Sequence, residues 1–365
     1  MMSNLRLKAI PAALLLSTAT LLAQTSTATP KAAAGYTLGI FARGVTGKYT
    51  APDSIAVDRT HVYVGYGDGH KPDGSDGKNT EVVQYSLNGS VEYIYSVPGH
   101  NDGLKVDPAT HILWALQNED ANPNATAINP VTHQKVQYTF QAPPAAGGGY
   151  DDIVFRQGKI YLSASNPANS PNNGPAIVEA KLENRTIAVT PVLYGNAQAT
   201  DVVTGSTVTL NLQDPDSMTL DPSGDLFLTS QADGELIVVR KPGQKSQSVL
   251  QIPLTSPYGT PMVDDTLFVP PSDGFILIAD KAANTVYSLR KLAFVPGSAY
   301  SAAQAQNNGK TIGFLAKLEP EFGILTPVVT GLGNPGGLAY LKLDDDSNNE
   351  ELIDFCTNLL NPTSR

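Results

Sequence analysis

One phrase returns along this chain of 365 residues and restricts its fold more than any other feature. It is an Asp, any residue, an aliphatic residue, any residue, then a further apolar residue. It reads DSIAV at 53–57, DGLKV at 102–106, DDIVF at 151–155, DSMTL at 216–220 and DTLFV at 265–269. A sixth copy, GGLAY at 336–340, has Gly336 in place of the Asp. The starts lie 49, 49, 65, 49 and 71 residues apart, so the unit is about 49 residues long with insertions in two copies. A period of this length marks a repeat architecture. The extra length has candidates in NPANSPNNGP (166–175) with 196–208, and in PGSAYSAAQAQNNG (296–309), all rich in loop-forming residues.

Each phrase is followed by a turn and a second apolar strand, as in DPSGD (221–225) and then DLFLTS (225–230). A third strand follows (EVVQYSL, LIVVRK), and a fourth, more polar one runs into the next copy (VEYIYSV, VLQIPL). Four short strands per unit, least polar first, describe a propeller blade: the inner strand is covered on both sides and the outer one is wetted. The expectation is an all-β, six-bladed β-propeller of four-stranded antiparallel blades over residues 36–343. YTLGIFARG (36–44) and GGLAYLKL (336–343) are expected to close the ring as its outer and inner strands, with the strands of 292–330 unassigned. A β-sandwich or a two-domain all-β chain is the alternative, but neither accounts for the constant spacing.

Outside that range, Arg6 and Lys8 precede the apolar stretch 9–23, and small residues follow at Ala23, Ser26, Thr27 and Ala28. Residues 1–28 read as a secretory signal peptide, with an N-terminal anchor as the alternative. No other stretch is apolar for long enough to span a bilayer, so the expectation is a secreted or periplasmic monomer. Residues 344–365 read as a C-terminal tail. Cys356 is alone, which excludes an intrachain disulfide and a cysteine metal site. A net charge of −10 argues against nucleic acid as a partner.

In a propeller the first residues of the inner strands surround one mouth of a central channel. The phrase therefore places Asp53, Asp102, Asp151, Asp216 and Asp265 in one ring. Asp before a strand also accepts hydrogen bonds from turn amides, which is the structural alternative. Like charges at such spacing call for a cation or shared protons, and a hard oxygen-ligand ion such as Ca²⁺ suits the set. The ends of the second strands add a second polar circle of Asp68, Asn118, Asn166, Gln231 and Asp280, with Glu119 and Asp120 close by. Of these, Asp68, Asn118, Asn166 and Asp280 are the candidate ligand-binding residues, with a solvated loop role as the alternative for each. His100, just before Asp102, is the candidate general base, and His61 and His111 fall on the opposite face. The loop 67–81, with Asp68, Asp73 and Asp76, reads as a lid at the mouth or a weak Ca²⁺ site.

The phrases PDSI, NDGL and PDSM followed by AVD, KVD and TLD resemble the inner-strand signature of six-bladed propellers of the gluconolactonase and senescence-marker-protein group, and NHL-type repeats. The resemblance spans roughly 36–343. It implies a divalent metal at the channel mouth, held by a Glu, an Asn and an Asp, that activates water against a lactone. The Asp carries over to Asp216, Asp102 or Asp53. The nearest match for the Asn, Asn101, is displaced by one, and the Glu has no counterpart. The resemblance thus implies a hydrolase acting on a small lactone or sugar-derived ligand. The alternative is a non-catalytic exported propeller that binds a carbohydrate, peptide or envelope partner.

Overall fold

Strand follows strand from Lys31 to Lys342 in the computed structural model, which describes residues 29–343, and no helix occurs among the described residues. The expected signal peptide and the C-terminal tail, with Cys356, lie outside them. The chain is all-β. Pro52–Val57, His61–Tyr66, Asn79–Ser86 and Val91–Pro98 pair in that order as one antiparallel sheet. Its second strand is buried along almost its whole length, whereas the first half of its fourth strand is exposed. That gradient is the one expected of strands stacked outward from an axis. Three further phrases begin equivalent four-strand units at Asn101–Val106, Gly149–Arg156 and Pro215–Leu220. The outer strands of the second and third units touch in parallel, Thr139 opposite Thr186 and Phe140 opposite Ile187. The insertion expected at 196–208 is in part a small hairpin, Gln198–Asp201 with Thr207–Thr209, laid on the outer strand Ser248–Pro253.

The last two units depart from the simple order. Pro261–Phe268 does not pair with the strand that follows it. Gly274–Asp280 and Thr285–Lys291 cross instead to a sheet completed by Tyr36–Arg43 outside and Pro335–Lys342 inside. The chain then returns, and Ala299–Asn307, Lys310–Glu319 and Ile324–Leu332 complete the sheet begun by Pro261–Phe268. So 296–309, expected as a loop, contains a nine-residue strand. Residues 36–43 and 335–342 do share the closing sheet, but two strands stand between them. Lys31–Ala32 adds to the edge of the preceding sheet at Val329 and Thr330, so the N-terminal segment ties both sheets together.

The inner strands pack side by side in the order 52–57, 101–106, 149–156, 215–220, 261–268 and 335–342, and the last packs against the first. The apolar core is divided accordingly into wedges between neighbouring sheets. One, around Trp114, Tyr150, Leu162 and Val178, lies between the second and third. Another, around Phe41, Tyr66, Phe275 and Leu341, lies between the closing sheet and the first.

The phrase has a backbone reason. At the same place in each inner strand the register slips by one residue: between Pro52 and Ile55, Asn101 and Leu104, Tyr150 and Ile153, Pro215 and Met218, and Val263 and Thr266. The closing sheet slips between Pro335 and Leu338. Each slip is a β-bulge that turns two successive residues out of the ladder. The first of the two is Asp53, Asp102, Asp151, Asp216, Asp264 or Gly336. The second, one residue further on, docks on the next inner strand. Ser54 donates its hydroxyl to Asp102 O. A Cβ at Gly103 would stand 2.1 Å from Asp151 O, so that approach requires glycine. Asp152 accepts from Met218 N at 2.9 Å. The Thr229 hydroxyl lies between Ser217 O and Asp264 O, and Asp265 accepts from Leu338 N at 2.8 Å. Finally a Cβ at Gly337 would stand 2.4 Å from Asp53 O, which returns the series to its start.

Candidate functional site

The bulge makes one correction to the expected ring. Asp264, not Asp265, stands at the position equivalent to Asp53, Asp102, Asp151 and Asp216. Asp265 occupies the second, docking position, where both of its carboxylate oxygens accept backbone amides, from Thr266 and Leu338. The phrase matches at either residue of the doublet Asp264–Asp265, and only the bulge distinguishes them. Asp152 has the same docking role as Asp265, and its carboxylate also takes Lys105 Nζ at 3.2 Å.

The five first-position carboxylates lie within electrostatic reach of one another. Burial, then the charge of Asp53, pushes Asp102 well above the ordinary carboxylate range. Burial likewise raises Asp151 and Asp216, reinforced by Asp102 and Asp216 for the first and by Asp264 and Asp102 for the second. Asp264 is pushed up to about 6 by burial, against the pull of the Lys281 ammonium. Removing carboxylates from water disfavours their charged form, and crowding like charges adds to that penalty.

Lys281, which the sequence reading did not single out, enters this ring. It follows the strand Gly274–Asp280, as Gln231 follows Leu226–Ser230 and Asn118 follows Leu113–Gln117. Its Nζ lies 2.7 Å from Asp53 Oδ1 and 3.6 Å from Asp264 Oδ2. Burial acts to lower its ammonium, and the carboxylates of Asp53, Asp264 and Asp102 overcome that and hold it well above its ordinary value. Gln231 donates to the same Asp264 oxygen at 3.2 Å.

Close to Asp53 stands His100 as well. Asn118 clamps it twice: its side-chain Oδ1 accepts from His100 N at 3.0 Å, and its own N–H donates to His100 O at 2.8 Å. Asn118 itself has φ +64, and side chains at Gly74 or Gly99 would collide with it. Asn118 is therefore a positioning residue. Burial lowers the imidazole, so it is neutral with a lone pair to offer. Its Nε2 lies 3.6 Å from Glu119 Oε1. His100 Nδ1 and Glu119 Oε2 are buried without a hydrogen-bond partner. Burial, then Asp102, raises Glu119 well above the usual range.

Asp53, His100 and Asp102 each offer a donor atom such that the three atoms lie within 4.8 Å of one another. Two carboxylates, a neutral imidazole and a nearby Glu with an idle oxygen fit a divalent cation; Asp53, His100 and Asp102 come from the first two inner-strand entrances, and Glu119 from the exit of the strand Leu113–Gln117. The remaining sequence candidates sit otherwise. Asp68 accepts from Thr50 N and Oγ1, with Oδ2 lacking a partner. Asn166 is exposed in a left-handed turn. Asp280 is fully buried and its carboxylate accepts the amides of Ala283, Gly333 and Asn334. Its neighbour Lys281, not Asp280, reaches the ring. In the loop 67–81, Asp73 and Asp76 hold their own loop's amides at Ser75, Lys71 and Lys78. Asp120 N reaches Pro72 O, so this loop lies beside the Asn118–Glu119 corner.

The larger surface clefts lie elsewhere. One of about 620 Å³, lined by Trp114, Tyr138 and Phe155, opens beside the Asp107–Thr110 turn, at the strand ends opposite the ring. It gathers few groups able to do chemistry, and the converging charges mark the mouth instead.

No family model matches the chain, and no curated protein matches it. Among solved structures, similar folds include a protein of unknown function from Bacteroides caccae, at 9% identity over 80% of this chain and 87% of that one, with a TM-score of 0.47. A candidate gluconolactonase is 12% identical over 86% and 94%, with a TM-score of 0.45. Virginiamycin B lyase from Staphylococcus aureus is 11% identical over 85% and 100%, with a TM-score of 0.43. At these scores the likenesses carry no functional inference.

Proposed function

We propose that this chain is an exported six-bladed β-propeller whose acidic mouth binds one divalent cation and hydrolyses a small lactone or sugar-derived ligand there, in the manner of the gluconolactonases. The blade count is supported by the closed order in which the inner strands and the core wedges pack. The observation that carries the site is the meeting of Asp53, His100 and Asp102 beside an unpartnered, buried Glu119. The imidazole in that set turns the choice of ion from Ca²⁺ toward Mn²⁺ or Zn²⁺, because Ca²⁺ takes oxygen ligands almost exclusively.

When bound, such an ion supplies a Lewis acid that polarises a carbonyl oxygen. The chain's own residues do the rest. Asp53, Asp102 and His100 hold the cation, which reassigns His100 from the base expected of it to a ligand. Asn118 fixes the backbone that carries His100, and Glu119 faces the imidazole from the Nε2 side. Glu119 Oε2, buried without a hydrogen-bond partner beside these donors, is the proton acceptor for the attacking water. Asp151 and Asp216, whose carboxyls burial biases toward the protonated form, offer hydrogen bonds to ligand hydroxyls.

The 2.7 Å ion pair between Lys281 and Asp53 favours a second reading, in which the mouth is neutralised from within and binds a polyol without catalysis. The two separate in one assay. Acid release from a panel of aldonolactones is followed with chelated protein, with protein given Mn²⁺, and with Glu119→Gln. The hydrolase reading expects turnover only with the ion and a loss of about 100-fold in the variant. Polyol binding with no turnover under any condition supports the second.

A further inference from the structure

The Asp ring breaks at its sixth place, and the break has a filler. A Cβ at Gly336 would stand 3.0 Å from Lys281 Cε and 3.3 Å from a carboxylate oxygen of both Asp264 and Asp53. The missing side chain at Gly336 is thus the room through which the lysine stem reaches the ring. The base of that stem is fixed, because Lys281 N donates to Asn334 O at 2.9 Å and Asp280 holds the amides of the same loop. The stem beyond it is four rotatable carbons carrying a compact charge.

Asp53 serves two masters in this arrangement. It is one of the three donors that converge with His100 and Asp102, and it is also the contact partner of Lys281. Two cations on one carboxylate at contact distance repel, and a low-dielectric surrounding strengthens the repulsion. A second acceptor is already in place for the ammonium, at Asp264 Oδ2, 3.6 Å away.

We propose that Lys281 is the resident cation of the mouth: it holds the like-charged ring together when no metal is bound, and a divalent ion displaces it from Asp53 toward Asp264. Lys281 thereby sets the affinity of the site for its ion. This rests on the divalent-ion reading above. It is tested by titrating Mn²⁺ alone into wild type, Lys281→Met and Lys281→Arg, and by melting each in chelator. Removing the competing charge is expected to tighten Mn²⁺ binding about tenfold or more in Lys281→Met. In chelator that variant is expected to melt below wild type, and Mn²⁺ is expected to recover the loss. Lys281→Arg keeps the charge and is expected to keep the wild-type affinity. Wild type that binds Mn²⁺ while Lys281→Met binds it equally or more weakly overturns the proposal and leaves the metal site standing. Binding by none of the proteins overturns both. Should Lys281→Met not fold, Lys281→Gln, which retains a hydrogen-bond donor for Asp53, is held to the same expectations.

Discussion

At the residue scale, neighbouring acids of this chain differ in kind. Asp264 faces the ring and Asp265, next to it, joins one inner strand to another. Substitutions should separate the two classes. Asp265→Ala leaves the Leu338 amide buried and unpaired, so it should cost about 1–3 kcal/mol of stability while Mn²⁺ affinity stays within about threefold of wild type. Asp102→Asn removes one of several crowded charges. It should leave the chelated protein's melting temperature unchanged or raised, and weaken Mn²⁺ binding at least about tenfold. Melting curves and titrations of both variants check the pair, and equal behaviour would contradict it. The same carboxyls govern the response to pH. Asp264 and Asp265 sit at about 6 and about 7 when folded, against 3.8 for a free side chain. Across that window the folded chain holds protons that the unfolded chain has released, so stability falls as pH rises. His100, lowered by burial, opposes this, but it is one group against several. Chelated protein should therefore melt at a lower temperature at about pH 8 than at about pH 5.5. Saturating Mn²⁺, which needs deprotonated ligands, should reverse the order.

At the scale of strands, the recurring phrase is legible because it encodes a bulge. Two residues must leave the ladder at one place in each inner strand, and the second must be small or able to bond to its neighbour: Ser54, Gly103, Asp152, Ser217, Asp265 and Gly337. Gly103→Ala would press a methyl group onto Asp151 O, a backbone atom that cannot swing aside, and should cost about 1–3 kcal/mol. Urea melts check this; a neutral result would mean that the inner strands are not so closely docked. The ring of acids was legible for the same reason, apart from its fifth member, where the doublet Asp264–Asp265 satisfies the phrase twice. Strand exchange between the last two sheets was not legible. Strands such as 274–280 and 285–291 carry the same apolar alternation whichever inner strand they join, and nothing local to them states the partner. Lys281 was hidden likewise, because a lysine after a strand reads as a solvated turn until Gly336 is placed beneath it.

At the scale of the whole molecule, closure makes the mouth. Phe41 and Ala42, from the N-terminal segment, are buried in the wedge between the closing sheet and the first. Deleting residues 29–43 should therefore open the ring, abolish Mn²⁺ binding and expose 274–291 to limited proteolysis, although no ring carboxylate is touched. Charges scattered over some 230 residues of chain become a site only because the inner strands meet around one axis, and burial there makes a cation or protons necessary. Crystals grown with Mn²⁺ test this most directly, by the anomalous difference density collected near the manganese edge. A single strong peak is expected, bounded by Asp53, His100 and Asp102, with the Lys281 ammonium moved off Asp53. A mouth without a peak, with the ion elsewhere on the molecule or bound nowhere, would contradict it.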